Sequence, residues 1–190
     1  MRTAVPFWNI LKKDMKNYYL KPPNISWGIV FPFAWMLMFY LKSQSPLDVL
    51  TILPGLMALS ILFGTTSMLA VTITFERRSR SFDRLLLAPI SLTWLMLAKT
   101  LGAILFGILN AFVPLLAALF FVTVPVVDWA AVCTGIVFIA VTSTFLGLFI
   151  AVSVSEVFEA QTFSNFFRFP MVFLCGLFIP LSRLPVFLRP

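Results

Sequence analysis

The chain has 190 residues, 61% of them hydrophobic and 11% charged, with a formal net charge of +7 and no histidine. Ordinary soluble domains carry about 25% charged residues, so a water-facing globule is excluded and the main solvent is lipid. The basic residues lie in short segments between apolar stretches, where topology determinants belong, which points to a membrane surface and away from nucleic acid.

Ala4, Trp8, Leu11, Met15 and Tyr18 recur at helical spacing, with Asn9, Lys12, Lys13 and Lys16 largely opposite. This predicts an amphipathic helix within residues 1–24 that lies at the headgroup level with its basic face toward anionic lipid. Lys21-Pro22-Pro23-Asn24 ends it. The apolar run that follows has no small-residue cleavage site before it and reads as retained in the mature protein.

A helix needs about 20 apolar residues to cross roughly 30 Å of hydrocarbon. On that ruler the spans are 27–41, 51–75, 92–122, 129–154 and 169–181, the first short and the last cut by Pro170 and Pro180. The fold class is therefore an all-α polytopic membrane protein, one transmembrane domain over residues 1–190, with an interfacial amino-terminal helix and five spans. Five basic residues precede the first span, four lie between the second and third, and Arg168 lies between the fourth and fifth. Lys42, Arg183 and Arg189 fall on the other side, while Lys99, inside the third span, is expected to snorkel outward. The positive-inside rule then puts the amino terminus in the cytoplasm of a plasma-membrane protein.

Within the third span, Ala103, Gly107 and Ala111 form a small-residue stripe with Asn110 close to the same face. Such a stripe admits another helix closely, and Asn110 can hydrogen-bond across the contact. It serves either packing within the subunit, or a dimer contact or part of a substrate route.

Catalytic chemistry is hard to find. Without histidine the chain lacks the commonest proton shuttle and metal ligand. Cys133 and Cys175 lie in apolar stretches without C-x-x-C spacing, so they read as packing residues and not as a zinc or disulfide framework. Gly102 and Gly107 are the nearest approach to a phosphate loop, but Ile108 and Leu109 follow in place of Lys and Ser/Thr. Asp48, Asp128, Glu156 and Glu159 all fall at or beyond span ends, which weighs against a proton-coupled carrier.

The segment 76–91 is the most informative. Phe82, Leu85 and Leu86 stand at i, i+3, i+4, Asp83 and Arg84 project elsewhere, and Pro89 stops the turn, which predicts a small amphipathic helix. Read without further context, it is equally a charged inter-helix loop touching the membrane surface. The segment resembles the cytoplasmic loop of type-2 ATP-binding cassette (ABC) exporter permeases, in which an acidic residue leads to Gly-Thr-Leu-Glu, leucines and Thr-Pro-Ile-Ser. Glu76, Phe82, Asp83, Leu85, Leu86, Pro89, Ile90 and Ser91 fit the pattern, while Arg80 replaces the usual glycine, Ser81 the usual threonine and Ala88 a common threonine. A second stretch is similar to the same family: Glu159-Ala160-Gln161, Ser164-Asn165, Pro170, Phe173-Leu174, Gly176, Phe178, Pro180-Leu181 and Leu184-Pro185.

The resemblance implies a permease subunit of an ATP-driven exporter, with a drug, lipid or glycan as substrate. It pairs with a second permease and docks on an ABC ATP-binding subunit, which holds the ATP and Mg; this chain binds no cofactor. Glu76, Arg77, Arg78, Phe82, Asp83, Arg84, Leu85, Leu86 and Pro89 would form the docking loop, with Phe82, Leu85 and Leu86 seated in a cleft of the ATPase. Gly176, Phe178, Pro180, Leu181 and Pro185 would begin an outer re-entrant hairpin, and a sixth span would follow Pro190, so the sequence reads as a fragment of a longer chain. The rival readings are a membrane scaffold or assembly subunit without transport, and a secondary carrier, for which neither an embedded ion site nor an internal repeat is found.

Overall fold

A computed structural model describes residues 4–42, 46–121 and 128–174. Every secondary-structure element among the described residues is a helix. A helix α1 (Ala4–Asp14) runs into a π turn (Met15–Tyr19), followed by α2 (Pro22–Lys42), α3 (Pro46–Arg78), a short α4 (Ser81–Leu86), α5 (Leu92–Phe121), α6 (Trp129–Ser153) and α7 (Val157–Leu174). Among these residues three helices are long and apolar enough to cross a membrane, Thr51–Arg78, Leu92–Phe120 and Trp129–Ser153, and Val30–Lys42 is a shorter apolar helix. The chain is thus a multi-pass membrane protein.

The long helix α3 is the strut on which the others pack. Its 33 residues extend about 50 Å at 1.5 Å per residue, more than a bilayer core requires. Lipid provides no hydrophobic drive between helices, so close backbone approach has to hold them together. Glycines provide it: a Cβ on Gly107 of α5 would overlap the Thr65 methyl of α3, and one on Gly147 of α6 would come within 2.8 Å of the Thr66 carbonyl. Ala103 and Ala111 are completely buried, and Asn110 donates to the Phe106 carbonyl of its own turn at 3.0 Å. The small-residue stripe of α5 therefore faces α3 within the chain.

Helix ends follow local chemistry. Asp128 caps α6 by accepting from the Ala130 and Ala131 amides at 3.0 and 3.2 Å. Glu159 reaches back from the first turn of α7 to the amides of Ser155 and Glu156, both at 3.1 Å. Pro22 opens α2 at a position where a missing N–H is tolerated, so the Pro-Pro pair ends one element and starts the next. Arg80, before α4, has φ of 54°, the left-handed conformation that glycine adopts without strain.

Several sequence expectations require correction. The amino-terminal helix does not rest on lipid alone: Ile10, Leu11, Asp14 and Tyr19 are buried, Leu11 and Tyr19 lie over Gly102 of α5, and Trp8, placed on the apolar face, is 63% exposed. The π turn causes part of this change, because i→i+5 bonding, seen in Leu20 N to the Met15 carbonyl at 2.8 Å, resets the helical phase and lets Asp14 and Tyr19 both face inward. Arg168 is not in a loop. It lies inside α7, which begins at Val157 and not near residue 169. Cys133 is on the exposed side of α6, so it does not pack inside the chain. Cys175 and the proposed re-entrant residues Gly176, Phe178, Pro180, Leu181 and Pro185 lie outside the described residues.

Candidate functional site

Among the described residues, charge is buried at two places in the bundle. The first is at the end that carries α1, α4 and the α6–α7 turn, here the basic end. Lys99 of α5, 1% exposed, is the centre of a cluster with Asp14 and Glu76, which are equally enclosed. Its ammonium is 3.0 Å from Asp14 Oδ2 and also pairs with Glu76. Lys13 approaches from the rim, 2.6 Å from Glu76 Oε1 and 2.9 Å from Asp14 Oδ1. Two cations thus meet two carboxylates, and α1, α3 and α5 are joined at one point. Lys99 does not snorkel, because a carboxylate on each neighbouring helix receives it inside.

Burial disfavours the charged form of Lys13, but hydrogen bonds and charge from Glu76 and Asp14 outweigh it and hold the ammonium above its ordinary range. The Tyr19 hydroxyl is pushed well above its usual value, first by burial and then by the two carboxylates, so it stays neutral.

Next to this cluster, α4 turns its apolar face inward. Phe82 and Leu85 pack against Ile10, Leu95 and Ala98 with Phe7 and Ile90. Arg77, Arg78, Asp83, Arg84, Leu86 and Pro89 are exposed, as is Leu87 at 86%. Glu76, assigned to the docking loop, is instead inside the ion cluster. The α6–α7 turn is tied to the same end by an exposed Arg78–Glu156 pair and by Arg77 donating to the Ala151 carbonyl at 2.9 Å.

The second place is deep in the bundle. Arg168 is 3% exposed, donates to the Phe63 carbonyl at 3.3 Å, to Ser67 Oγ, and to Asn165 Oδ1 at 3.4 Å, and lies 4.7 Å from the centre of the Phe63 ring. Its contacts on α3 are 11 and 15 residues before Arg78, or about 16 to 22 Å along the axis, roughly the middle of the hydrocarbon. No carboxylate among the described residues pairs with it. The guanidinium lines a cavity of about 410 Å³ bounded by α2, α3, α5 and α7. Ser60, Ser67, Gln161 and Asn165 supply the rest of its polar wall, and Phe31, Phe63, Met68 and Phe106 its apolar wall.

The sequence reading missed both clusters. It checked acids against the span ends and did not consider Asp14, which shares the buried face of α1 with Ile10 and Leu11; it read Arg168 as a loop charge because the apolar count restarts after it. A lone basic residue seven positions after the end of the Glu159–Gln161 motif, with aromatic residues on both sides, was the available signal. Among the described residues no group of histidine, cysteine, aspartate and glutamate is arranged to hold a metal.

The family description that matches the chain is the ABC-2 type transporter, over residues 6–190. Similar proteins are the inner membrane transport permease YadH of Escherichia coli K12, 26% identical over 136 residues, with 72% of this chain and 53% of YadH covered, and the YadH proteins of Escherichia coli O157:H7 and Shigella flexneri with the same figures. The chain spans about half the length of these relatives. No solved structure matches.

Proposed function

The chain belongs to the ABC-2 type transporter family, and from that footing we propose that it is the permease subunit of an ATP-driven exporter in the inner membrane. Two such subunits pair, and two ATP-binding subunits carrying ATP and Mg dock at the basic end, which the positive-inside rule assigns to the cytoplasm. The plan in this reading is five spans with the start of an outer re-entrant hairpin.

One observation carries the coupling role: α4 is fastened by its apolar face beside the ion cluster while its other face is exposed. In this reading Arg77, Arg78, Asp83, Arg84, Leu86 and Pro89, joined by Leu87, meet the ATPase. Phe82 and Leu85 fasten α4 to α1 and α5, and Glu76 fastens the end of α3. Closure of the ATPases on ATP pushes α4, and the cluster passes the displacement to α1, α3 and α5 together. A rigid-body shift of packed helices is how such a push becomes alternating access.

The test is co-purification of the chain with its ATP-binding partner and measurement of ATPase activity in lipid. Leu86→Asp with Leu87→Asp is expected to abolish complex formation or coupled activity while folded membrane protein is retained. Normal association and activity in that variant would remove the docking role and favour a scaffold.

A further inference from the structure

The cavity beside Arg168 combines three properties. It is deep in the bundle, it is walled on one side by aromatic and thioether groups, and its polar side carries a full positive charge without a counterion among the described residues. The partners of that charge are neutral: a backbone carbonyl, a hydroxyl, a side-chain amide and a ring face. The Nε–H of Arg168 is buried and has no hydrogen-bond partner among the described residues. An isolated charge at such a depth is expensive, and intramembrane cations of this kind characteristically face partners or ligand pathways. Guanidinium presents five donors in a planar fork suited to phosphate and carboxylate, and only three bonds are made here.

We propose that this cavity binds an amphiphilic anion, a phosphate or carboxylate head paired with Arg168 and an apolar chain laid against Phe31, Phe63, Met68 and Phe106. A volume of about 410 Å³ accommodates one such head and a short length of chain, not a polysaccharide. As a statement about the transported substrate class, this rests on the exporter reading; the binding itself needs no ATPase.

The experiment measures equilibrium binding of labelled dodecyl phosphate to the full chain in phosphatidylcholine nanodiscs, corrected for empty discs. Saturable binding is expected, competed by dodecanoate, at least about tenfold less well by dodecanol, and not by inorganic phosphate. Arg168→Gln is expected to abolish the preference for the charged amphiphile, and Arg168→Lys to keep most of it. Ser60→Leu, which fills the cavity and leaves the charge in place, is expected to lose binding, and decides the matter if Arg168→Gln does not fold. Equal competition by dodecanol, an unchanged preference in folded Arg168→Gln, or full binding in folded Ser60→Leu overturns the proposal. Competition by inorganic phosphate alone also overturns it, in favour of a free-anion site. Normal ATPase coupling in the Leu86→Asp, Leu87→Asp variant with amphiphile binding preserved overturns the docking reading alone, and loss of coupling in that variant without saturable binding to the unmodified chain overturns the amphiphile site alone.

Discussion

Helix α3 contributes to both places where charge is buried, and the two are built on opposite principles. At Glu76 charge is balanced: two lysines and two acids from three helices meet within 3.0 Å or less, and the arrangement acts as a joint. Around Phe63 and Ser67 charge is left over among the described residues: Arg168 is held by neutral groups beside an open volume. A balanced cluster has nothing to offer a ligand and loses much if one member is removed, whereas a solitary cation is costly to hold and available to an incoming anion. In the function proposed above, the contrast separates the part of the chain assigned to transmitting motion from the part assigned to receiving a solute.

The largest effect that would break this contrast comes from removing one charge at each place. Lys99→Met leaves Asp14 and Glu76 buried with only Lys13, and is expected to destabilise the chain by about 3 to 5 kcal/mol, read as a lowered thermal midpoint in detergent. Arg168→Met removes an unbalanced charge, so the midpoint should stay level or rise. Similar losses in both variants would erase the distinction.

Next in size is the packing that joins the two places. Gly107→Val drives a side chain into Thr65 and should cost about 1 to 3 kcal/mol in the same melt. Trimming the obstacle with Thr65→Ala in the same chain should recover part of it, which checks that the α3–α5 approach, and not the glycine itself, is responsible.

A smaller effect sharpens the joint. The Lys13 value is raised in the folded chain relative to the unfolded one. Its contribution is therefore complete below the ordinary lysine pKa of about 10.4 and is lost as pH rises through the higher folded value. Protease protection of α1 should be constant from pH 6 to about 9 and fall only in strong alkali; a fall near neutrality would contradict the balanced cluster.

The smallest effect is a control outside both places. Arg80→Gly relieves a left-handed φ at the start of α4 and should change stability by less than about 1 kcal/mol, the gain being offset by the greater freedom of glycine in the unfolded chain. A large change would mean that the Arg80 side chain has a role beyond its backbone.

Much of the plan was legible because it depends on quantities a linear string carries. Hydrocarbon thickness converts to residue count, so α3, α5 and α6 fall close to 51–75, 92–122 and 129–154. The i, i+3, i+4 spacing of Phe82, Leu85 and Leu86 announced α4. It did not say that Phe82 and Leu85 turn toward Ile10 and Leu95, since an amphipathic face looks the same whether it covers its own chain or waits for another. The small-residue stripe left the same choice open, and in the structure it lies against Thr65 and Ile61.

By itself, then, the sequence determined the solvent, the long helices, the basic end and the two family motifs, all consequences of local composition and spacing. Only tertiary structure decided where charge is buried. Lys99 pairs with residues 85 positions before it and 23 before it, and Arg168 reaches a carbonyl 105 positions away. Whether a charge in an apolar helix is balanced, alone or snorkelling depends on which other helix faces it, and no periodicity within one helix contains that information.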